Sequence, residues 1–197
     1  FIFWAIFEQA GTSLNIFADR FTHTHIGGME VPSSWYQAAN PFFVILLAPL
    51  FAVLWTKLGD KQPSSPMKFT IGLFSLACAF GVMVPAAKLA IEGRVSPLWL
   101  FGLYFLQTVG EMCLSPVGLS TFTKLSPARL VGAMLGIWFL GAAFGNKFAG
   151  VLATAFGEGE ATHLDRFFGQ QSAAVFIIAL VFLSLVPWVR RRMGGVR

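Results

Sequence analysis

The stretch 69-FTIGLFSLACAFGVMVPAA-87 is 19 residues long and contains no charged side chain. A transmembrane α-helix needs about 20 consecutive, mostly apolar residues to cross the hydrocarbon core of a bilayer. The apolar side chains here follow one another without the alternation that is typical of a membrane β-strand. The stretch therefore predicts a transmembrane helix, which we place at about 68–88.

The composition of the whole chain agrees with this reading. Of its 197 residues, 56% are hydrophobic and only 12% are charged, whereas about 25% of the residues of a soluble domain are charged. The 22 phenylalanines exclude intrinsic disorder, because disordered chains are poor in aromatic residues and rich in charge. The balance indicates an integral, multi-pass protein surrounded by membrane lipid.

Five further apolar stretches bring the predicted number of transmembrane helices to six. They lie at about 1–18, 35–56, 97–122, 130–156 and 169–189. The sequence thus predicts an all-α polytopic membrane protein whose single helical bundle covers residues 1–197. Because the chain begins at Phe1 inside an apolar run, we expect it to be a fragment of a longer protein. No spacing of a metal site occurs, so we expect neither metal nor cofactor.

The distribution of basic residues predicts the orientation. With six spans, the second and fourth connections lie on the same side as the C-terminus. That side carries nine basic residues: Lys57, Lys61, Lys68, Lys124, Arg129, Arg190, Arg191, Arg192 and Arg197. The other side carries four: Arg20, Lys88, Arg94 and Arg166. The positive-inside rule places the C-terminus in the cytoplasm, and the short loops favour a bacterial inner membrane.

Two carboxylates lie inside predicted spans. Placing an acidic side chain at the centre of a bilayer costs about 2.5–3.5 kcal/mol or more, so such residues usually mark a functional site. The first is Glu8, which at helical spacing shares a face with Thr12 and Asn15. We expect this face to line a cavity or a polar interface. The alternatives are a hydrogen bond that only packs helices, or a position near the membrane surface.

The second intramembrane carboxylate, Glu111, is followed by Ser115 and Pro116 and flanked by Gly110 and Gly118. A proline inside a membrane helix leaves a carbonyl group unbonded and bends the helix. Interrupted helices that carry polar groups are typical of the midplane binding sites of transporters. The alternative is a protonated carboxyl group bonded to a neighbour for packing.

Two other residues are candidates for the same cavity. Asn40 precedes Pro41 early in the second span, where it either faces a cavity or caps the helix. Trp138 lies in mid-span, away from the membrane surfaces where tryptophan concentrates, and either walls a pocket or packs in the bundle. The sequence lacks a phosphate-binding loop, a nucleophile elbow and a zinc-binding helix motif. We therefore expect no enzyme, no ATP-driven pump and no binding of nucleic acid.

The stretch 110-GEMCLSPVGLSTFTKLSPARLVGAMLGIWFLGAAFGNKFAG-150 resembles helices ten and eleven of the proton-dependent oligopeptide transporters, a branch of the major facilitator superfamily. The opening 3-FWAIFEQAG-11 is similar to helix seven of that family, and 39-ANPFFVILLAPLFAVLW-55 to helix eight. The resemblance covers essentially the whole chain. It implies the C-terminal six-helix bundle of a twelve-helix carrier, with the N-terminal six-helix half as its partner.

The resemblance also implies a function, the symport of di- and tripeptides with protons by alternating access. It implies that Glu111 binds the peptide's terminal ammonium group and that Asn40 contacts the peptide backbone. The other residues that it places in the peptide pocket are Ser115, Trp138, Phe139 and Trp4.

The resemblance implies that Glu8 is the proton-coupling residue, which pairs with an arginine of helix one and responds to protonation. Some family members carry a second acid just before it, where this chain has Phe7. Two other functions stay open. One is a facilitator-fold carrier of another organic solute or of nitrate, although Glu111 suits a cationic group better than an inorganic anion. The other is a truncated membrane protein that does not transport.

Overall fold

The computed structural model describes residues 1–26, 29–157 and 163–193, and this part of the chain is predominantly α-helical. The helices are α1 Ile2–Phe7, α2 Ser13–Phe21, α3 Ala39–Leu58, α4 Ser65–Leu89, α5 Leu98–Leu125, α6 Val131–Gly157 and α7 Leu164–Arg192. Two-residue strands, β1 His25–Ile26 and β2 Met29–Glu30, pair antiparallel between α2 and α3. The predicted all-α membrane fold is confirmed. Arg197, one of the basic residues counted above, lies outside the described residues.

Among the described residues, five helical segments are long and apolar enough to cross a membrane. They are Ser33–Lys61, Ser65–Leu89, Leu98–Leu125, Ala128–Thr154 and Leu164–Arg192. The first of them includes the 3-10 turns Ser33–Ala38 and Gly59–Lys61 on either side of α3. Gly59 ends α3 with φ +47°, a left-handed conformation that glycine adopts easily because it has no Cβ.

The segment predicted as the first span, 1–18, is a broken helix and not one continuous span. After α1 the chain forms a 3-10 turn over Glu8–Gly11, and Thr12 adopts φ −127° and ψ −99°, outside the helical region. A 3-10 turn has 3.0 residues per turn instead of 3.6, and the non-helical residue then resets the direction of the following side chains. Glu8 therefore does not share a helical face with Thr12 and Asn15, contrary to what helical spacing predicts.

The last helix extends beyond the predicted span 169–189 at both ends. Asp165 lies in its first turn and Arg190–Arg192 in its last turn. Negative charge near a helix N-terminus and positive charge near its C-terminus interact favourably with the helix dipole. The charged residues that limit the hydrophobic span are therefore still part of helix α7.

Helix α4 occupies the centre of the bundle and packs along α5 and α7, while α1 packs on α6 and α3 on α5. Phe80 of α4, Phe17 of α2 and Phe168 of α7 are fully buried in the shared core. Gly72 of α4 faces Gly110 of α5, and a Cβ atom on Gly72 would lie 2.8 Å from the Gly110 carbonyl oxygen. Small residues at such crossings let membrane helices approach closely.

At the end of the bundle opposite to the C-terminus, hydrogen bonds join segments 21–23 and 94–95, and we call this contact the clasp. The His23 N–H donates to the Val95 carbonyl oxygen at 2.9 Å, and the Val95 N–H donates to that of Phe21 at 2.8 Å. The Arg94 guanidinium donates to the Thr22 carbonyl oxygen at 3.4 Å. The clasp thus joins the end of α2 to the start of α5.

Candidate functional site

Three polar side chains meet where α3 crosses α5, and we call this group the polar junction: Asn40, Thr108 and Glu111. The Asn40 amide nitrogen Nδ2 donates to Thr108 Oγ1 at 3.0 Å and to Glu111 Oε2 at 3.3 Å. The Thr108 hydroxyl group in turn donates to the Tyr104 carbonyl oxygen at 2.8 Å. The structure therefore brings together Asn40 and Glu111, which the sequence places in different spans.

The local sequence explains how these groups meet. Helix α3 begins at Ala39, so Pro41 lies in the first turn, where its missing N–H costs no helical hydrogen bond. Asn40 makes no capping hydrogen bond, and its side chain reaches across to α5 instead. Thr108 and Glu111 are three residues apart in α5 and so lie on one face of that helix. The Asn40 side chain therefore links α3 to α5, and its place in a peptide cavity stays a prediction.

The Glu111 carboxylate has unused capacity to accept hydrogen bonds. A carboxylate has about four lone-pair sites, and the Asn40 amide is the protein donor to Glu111 within the described residues. Ser115 lies one turn further along α5, and its hydroxyl oxygen is buried without a hydrogen-bond partner in the described part of the chain. This arrangement can accept N–H groups from a cationic ligand.

The second carboxylate, Glu8, begins the 3-10 turn between α1 and α2. Its Oε2 accepts a hydrogen bond from Asn146 Nδ2 of α6 at 3.5 Å, the upper limit for such a bond. In residues 1–26, 29–157 and 163–193, no basic group forms an ion pair with Glu8, and no cluster of three metal-ligating side chains occurs.

The aromatic candidates lie apart from the polar junction. Trp4 and Trp138 both line an apolar cavity of about 360 Å³, and the lining of this cavity does not include Asn40, Glu111 or Ser115. The Trp138 ring rests against Gly118, and its centroid lies 5.4 Å from that of Phe122. The structure thus divides the predicted pocket residues into a polar and an aromatic group.

Phe139 belongs to neither group. Its side chain is 60% exposed and does not line the cavity that contains Trp138. Consecutive residues of an α-helix point about 100° apart, so neighbours in sequence face different surroundings.

The sequence did not single out Thr108 or the contact between Asn146 and Glu8. Thr108 lies three residues before Glu111 in an apolar helix, so a search for polar residues at helical spacing from the acid would have found it. Asn146 gives no comparable signal, because its contact with Glu8 joins residues that are 138 positions apart.

The chain has relatives among known proteins. The profile of a family described as "PTR2: POT family" matches residues 1–181. A peptide transporter of Yersinia enterocolitica subsp. palearctica serotype O:3 is 41% identical over 198 residues, which cover 98% of this chain and 39% of that protein. A di-/tripeptide transporter of Lactococcus lactis subsp. cremoris is 33% identical over 201 residues, covering 100% of this chain and 40% of that protein.

Solved structures of POT transporters superpose on this chain. The crystal structure of a POT peptide transporter in complex with sulfate superposes with a TM-score of 0.89 at 38% identity, covering 98% of this chain and 39% of that one. The crystal structure of a POT family transporter in complex with 5-aminolevulinic acid superposes with a TM-score of 0.86, and one in complex with a thioalcohol-conjugated peptide with 0.85. Each is 27% identical and covers 95% of this chain and 39% of that one. The chain spans about two fifths of the length of the curated relatives that it matches. With its profile match, its helical bundle and these relatives, the chain belongs to the POT family.

Proposed function

We propose that this chain is the C-terminal six-helix half of a twelve-helix carrier that transports di- and tripeptides together with protons by alternating access. The observation that carries the proposal is the polar junction, in which the carboxylate of Glu111, inside an apolar helix, is held by an amide. Within the described residues, no basic group forms an ion pair with it. The names of the relatives and the two-fifths coverage support the same conclusion.

The chemistry of a peptide fits the polar junction. A peptide is a zwitterion, so its site must offer both signs of charge. Glu111 supplies the negative charge for the terminal ammonium group, while Asn40 and Ser115 supply polar contacts next to it. The basic group for the peptide carboxylate comes from the N-terminal half. Trp4, Trp138 and Phe139 complete the pocket as aromatic walls when the two halves are assembled.

Glu8 is the proton-coupling residue in this proposal. While ionised, it pairs with a basic residue of the N-terminal half and stabilises one conformation of the carrier; protonation removes that pair and shifts the equilibrium. A gradient of one pH unit supplies about 1.4 kcal/mol per proton, which is enough for about a tenfold accumulation of peptide. The carrier lies in a bacterial inner membrane with its C-terminus in the cytoplasm.

The substrate is tested with the full-length carrier in liposomes, by uptake of labelled dialanine with and without an inward proton gradient. We expect uptake to rise with the gradient. Glu111→Gln keeps the shape of the side chain but removes its charge, so we expect it to weaken binding of dialanine about tenfold or more. N-acetyl-dialanine, which has no ammonium group, is the control ligand and should bind weakly to both proteins.

Two results would contradict this assignment. Equal affinity of the wild type for dialanine and its N-acetyl derivative would exclude Glu111 as an ammonium site. Absence of uptake from folded protein over a panel of peptides would favour the carrier of another organic solute or of nitrate, which the same liposomes can test.

The proton step is tested separately with Glu8→Gln. We expect this variant to exchange labelled for unlabelled dialanine across the membrane but to lose accumulation driven by the proton gradient. Glu92→Gln is the matched control, because Glu92 lies exposed in the connection between α4 and α5. Normal gradient-driven accumulation by Glu8→Gln would remove Glu8 from the coupling mechanism.

A further inference from the structure

We propose that Thr108 is a positioning residue, which fixes the orientation of the Asn40 amide and thereby presents two acceptor oxygens to the ligand. This inference rests on the proposed function for the nature of the ligand. The hydrogen bonds that carry it lie within the chain itself. Thr108 is fully buried, and its hydroxyl oxygen accepts a hydrogen bond from the Asn40 amide.

The first step concerns the direction of the Thr108 hydroxyl hydrogen. A hydroxyl group has one hydrogen to donate and lone pairs with which to accept. The Thr108 hydroxyl donates this hydrogen to the Tyr104 carbonyl oxygen, one turn earlier in α5, at 2.8 Å. Only its lone pairs therefore face Asn40, 3.0 Å away.

The second step concerns the Asn40 amide. A side-chain amide can turn over, exchanging its NH₂ group and its carbonyl oxygen in nearly the same volume. Only the NH₂ group can donate a hydrogen bond to the lone pairs of Thr108. Its second hydrogen then points to Glu111, whose Oε2 lies 3.3 Å from the amide nitrogen Nδ2. The carbonyl oxygen Oδ1 accepts no hydrogen bond from the described residues.

The third step gives the consequence for the ligand. Asn40 Oδ1 and the free lone pairs of Glu111 form two adjacent acceptors, which suit an ammonium group with its three hydrogens. If the amide were turned over, Asn40 would present donors to the ligand and its oxygen would face the Glu111 carboxylate. Thr108 therefore acts on specificity through Asn40 and without touching the ligand.

The test compares Thr108→Val and Thr108→Ser in the full-length carrier. Valine keeps the volume of threonine but has no lone pair for the amide, so we expect the KM for dialanine to rise about five- to tenfold while kcat changes less than twofold. Serine restores the hydroxyl group, and we expect its KM to lie within about twofold of the wild type. A KM of Thr108→Val equal to that of the wild type would overturn the inference.

Matched controls separate positioning from packing. Thr121 of the same helix and Thr70 of α4 are buried, and each donates its hydroxyl hydrogen to a carbonyl oxygen one turn earlier, at 2.7 and 3.0 Å. Within the described residues, neither hydroxyl group is bonded to another helix, so Thr121→Val and Thr70→Val should leave the KM unchanged. An equal rise in all three valine variants would show that the effect comes from packing.

A measurement without substrate distinguishes failure of this inference from failure of the proposed function. Thermal unfolding of the ligand-free carrier is compared for Thr108→Val, Asn40→Ala and the double variant. Because both single changes break the same hydrogen bond, we expect their effects not to add. Additive effects would overturn the positioning role even if the carrier transports peptides. Non-additive effects would uphold the positioning role even if the carrier does not transport peptides.

Discussion

Replacing Gly72 by alanine tests how closely α4 and α5 must pack to hold Glu111 in place. The added Cβ would lie 2.8 Å from the Gly110 carbonyl oxygen, whereas ordinary contacts begin at 3.4 Å. The Gly110 oxygen belongs to the backbone and cannot rotate away as a side chain could. The two helices must therefore separate by about 0.6 Å. Overpacking of this kind costs about 1–3 kcal/mol.

The displacement should also reach the polar junction, because Glu111 directly follows Gly110. Its hydrogen bond to Asn40 measures 3.3 Å, so a displacement of α5 that lengthens this bond by more than about 0.2 Å would break it. We therefore expect Gly72→Ala to weaken dialanine binding about fivefold, in addition to its effect on stability.

The assay is thermal unfolding of the purified full-length carrier in one detergent at one scan rate, followed by dialanine binding. Gly102→Ala is the control, because a Cβ there would lie 3.8 Å from Val82 Cγ1, an ordinary contact, and the gain in helix propensity is the same. We expect the midpoint of Gly72→Ala to lie on the order of 5 °C below that of the control. Equal midpoints and wild-type affinity would refute the close approach of the helices.

Two further predictions concern other contacts. Gly118→Val forces the Trp138 ring away from α5 and should lower the free energy of unfolding by about 1–3 kcal/mol. Adding Trp138→Ala should recover part of this loss. If nothing is recovered, the ring does not rest against Gly118. Tyr36→Phe removes the hydroxyl group that donates to the His23 carbonyl oxygen at 2.8 Å. It should cost about 1 kcal/mol and speed hydrogen exchange at residues 22–24, whereas unchanged exchange would contradict this bond.

The fold class could be predicted from the sequence because the length of apolar runs is fixed by the thickness of the membrane. Helix α4, Ser65–Leu89, contains the charge-free stretch 69–87 and continues only a few residues beyond it. The break at Glu8–Gly11 could not be predicted, because hydropathy averages over about 19 residues and does not depend on the dihedral angles of a single residue such as Thr12.

The candidate site could be predicted only in part. Acidic residues in apolar runs are conspicuous, so Glu111 and Glu8 stand out from the sequence alone. The contact between Asn40 and Glu111 joins residues 71 positions apart, and no local pattern encodes it. The separation of Trp138 from the polar junction depends on how deeply Gly118 lets the ring approach α5, which is decided by packing and not by spacing along the chain.

The clasp has a consequence for the biogenesis of the protein. It joins Thr22 to Arg94 across 72 positions, and α3 and α4 lie between them. When both intervening helices cross the bilayer in opposite directions, the two segments of the clasp lie on the same face of it. A helix left uninserted during synthesis would put the two segments on opposite faces of the bilayer. Formation of the clasp is thus evidence that this part of the chain was inserted with the correct topology.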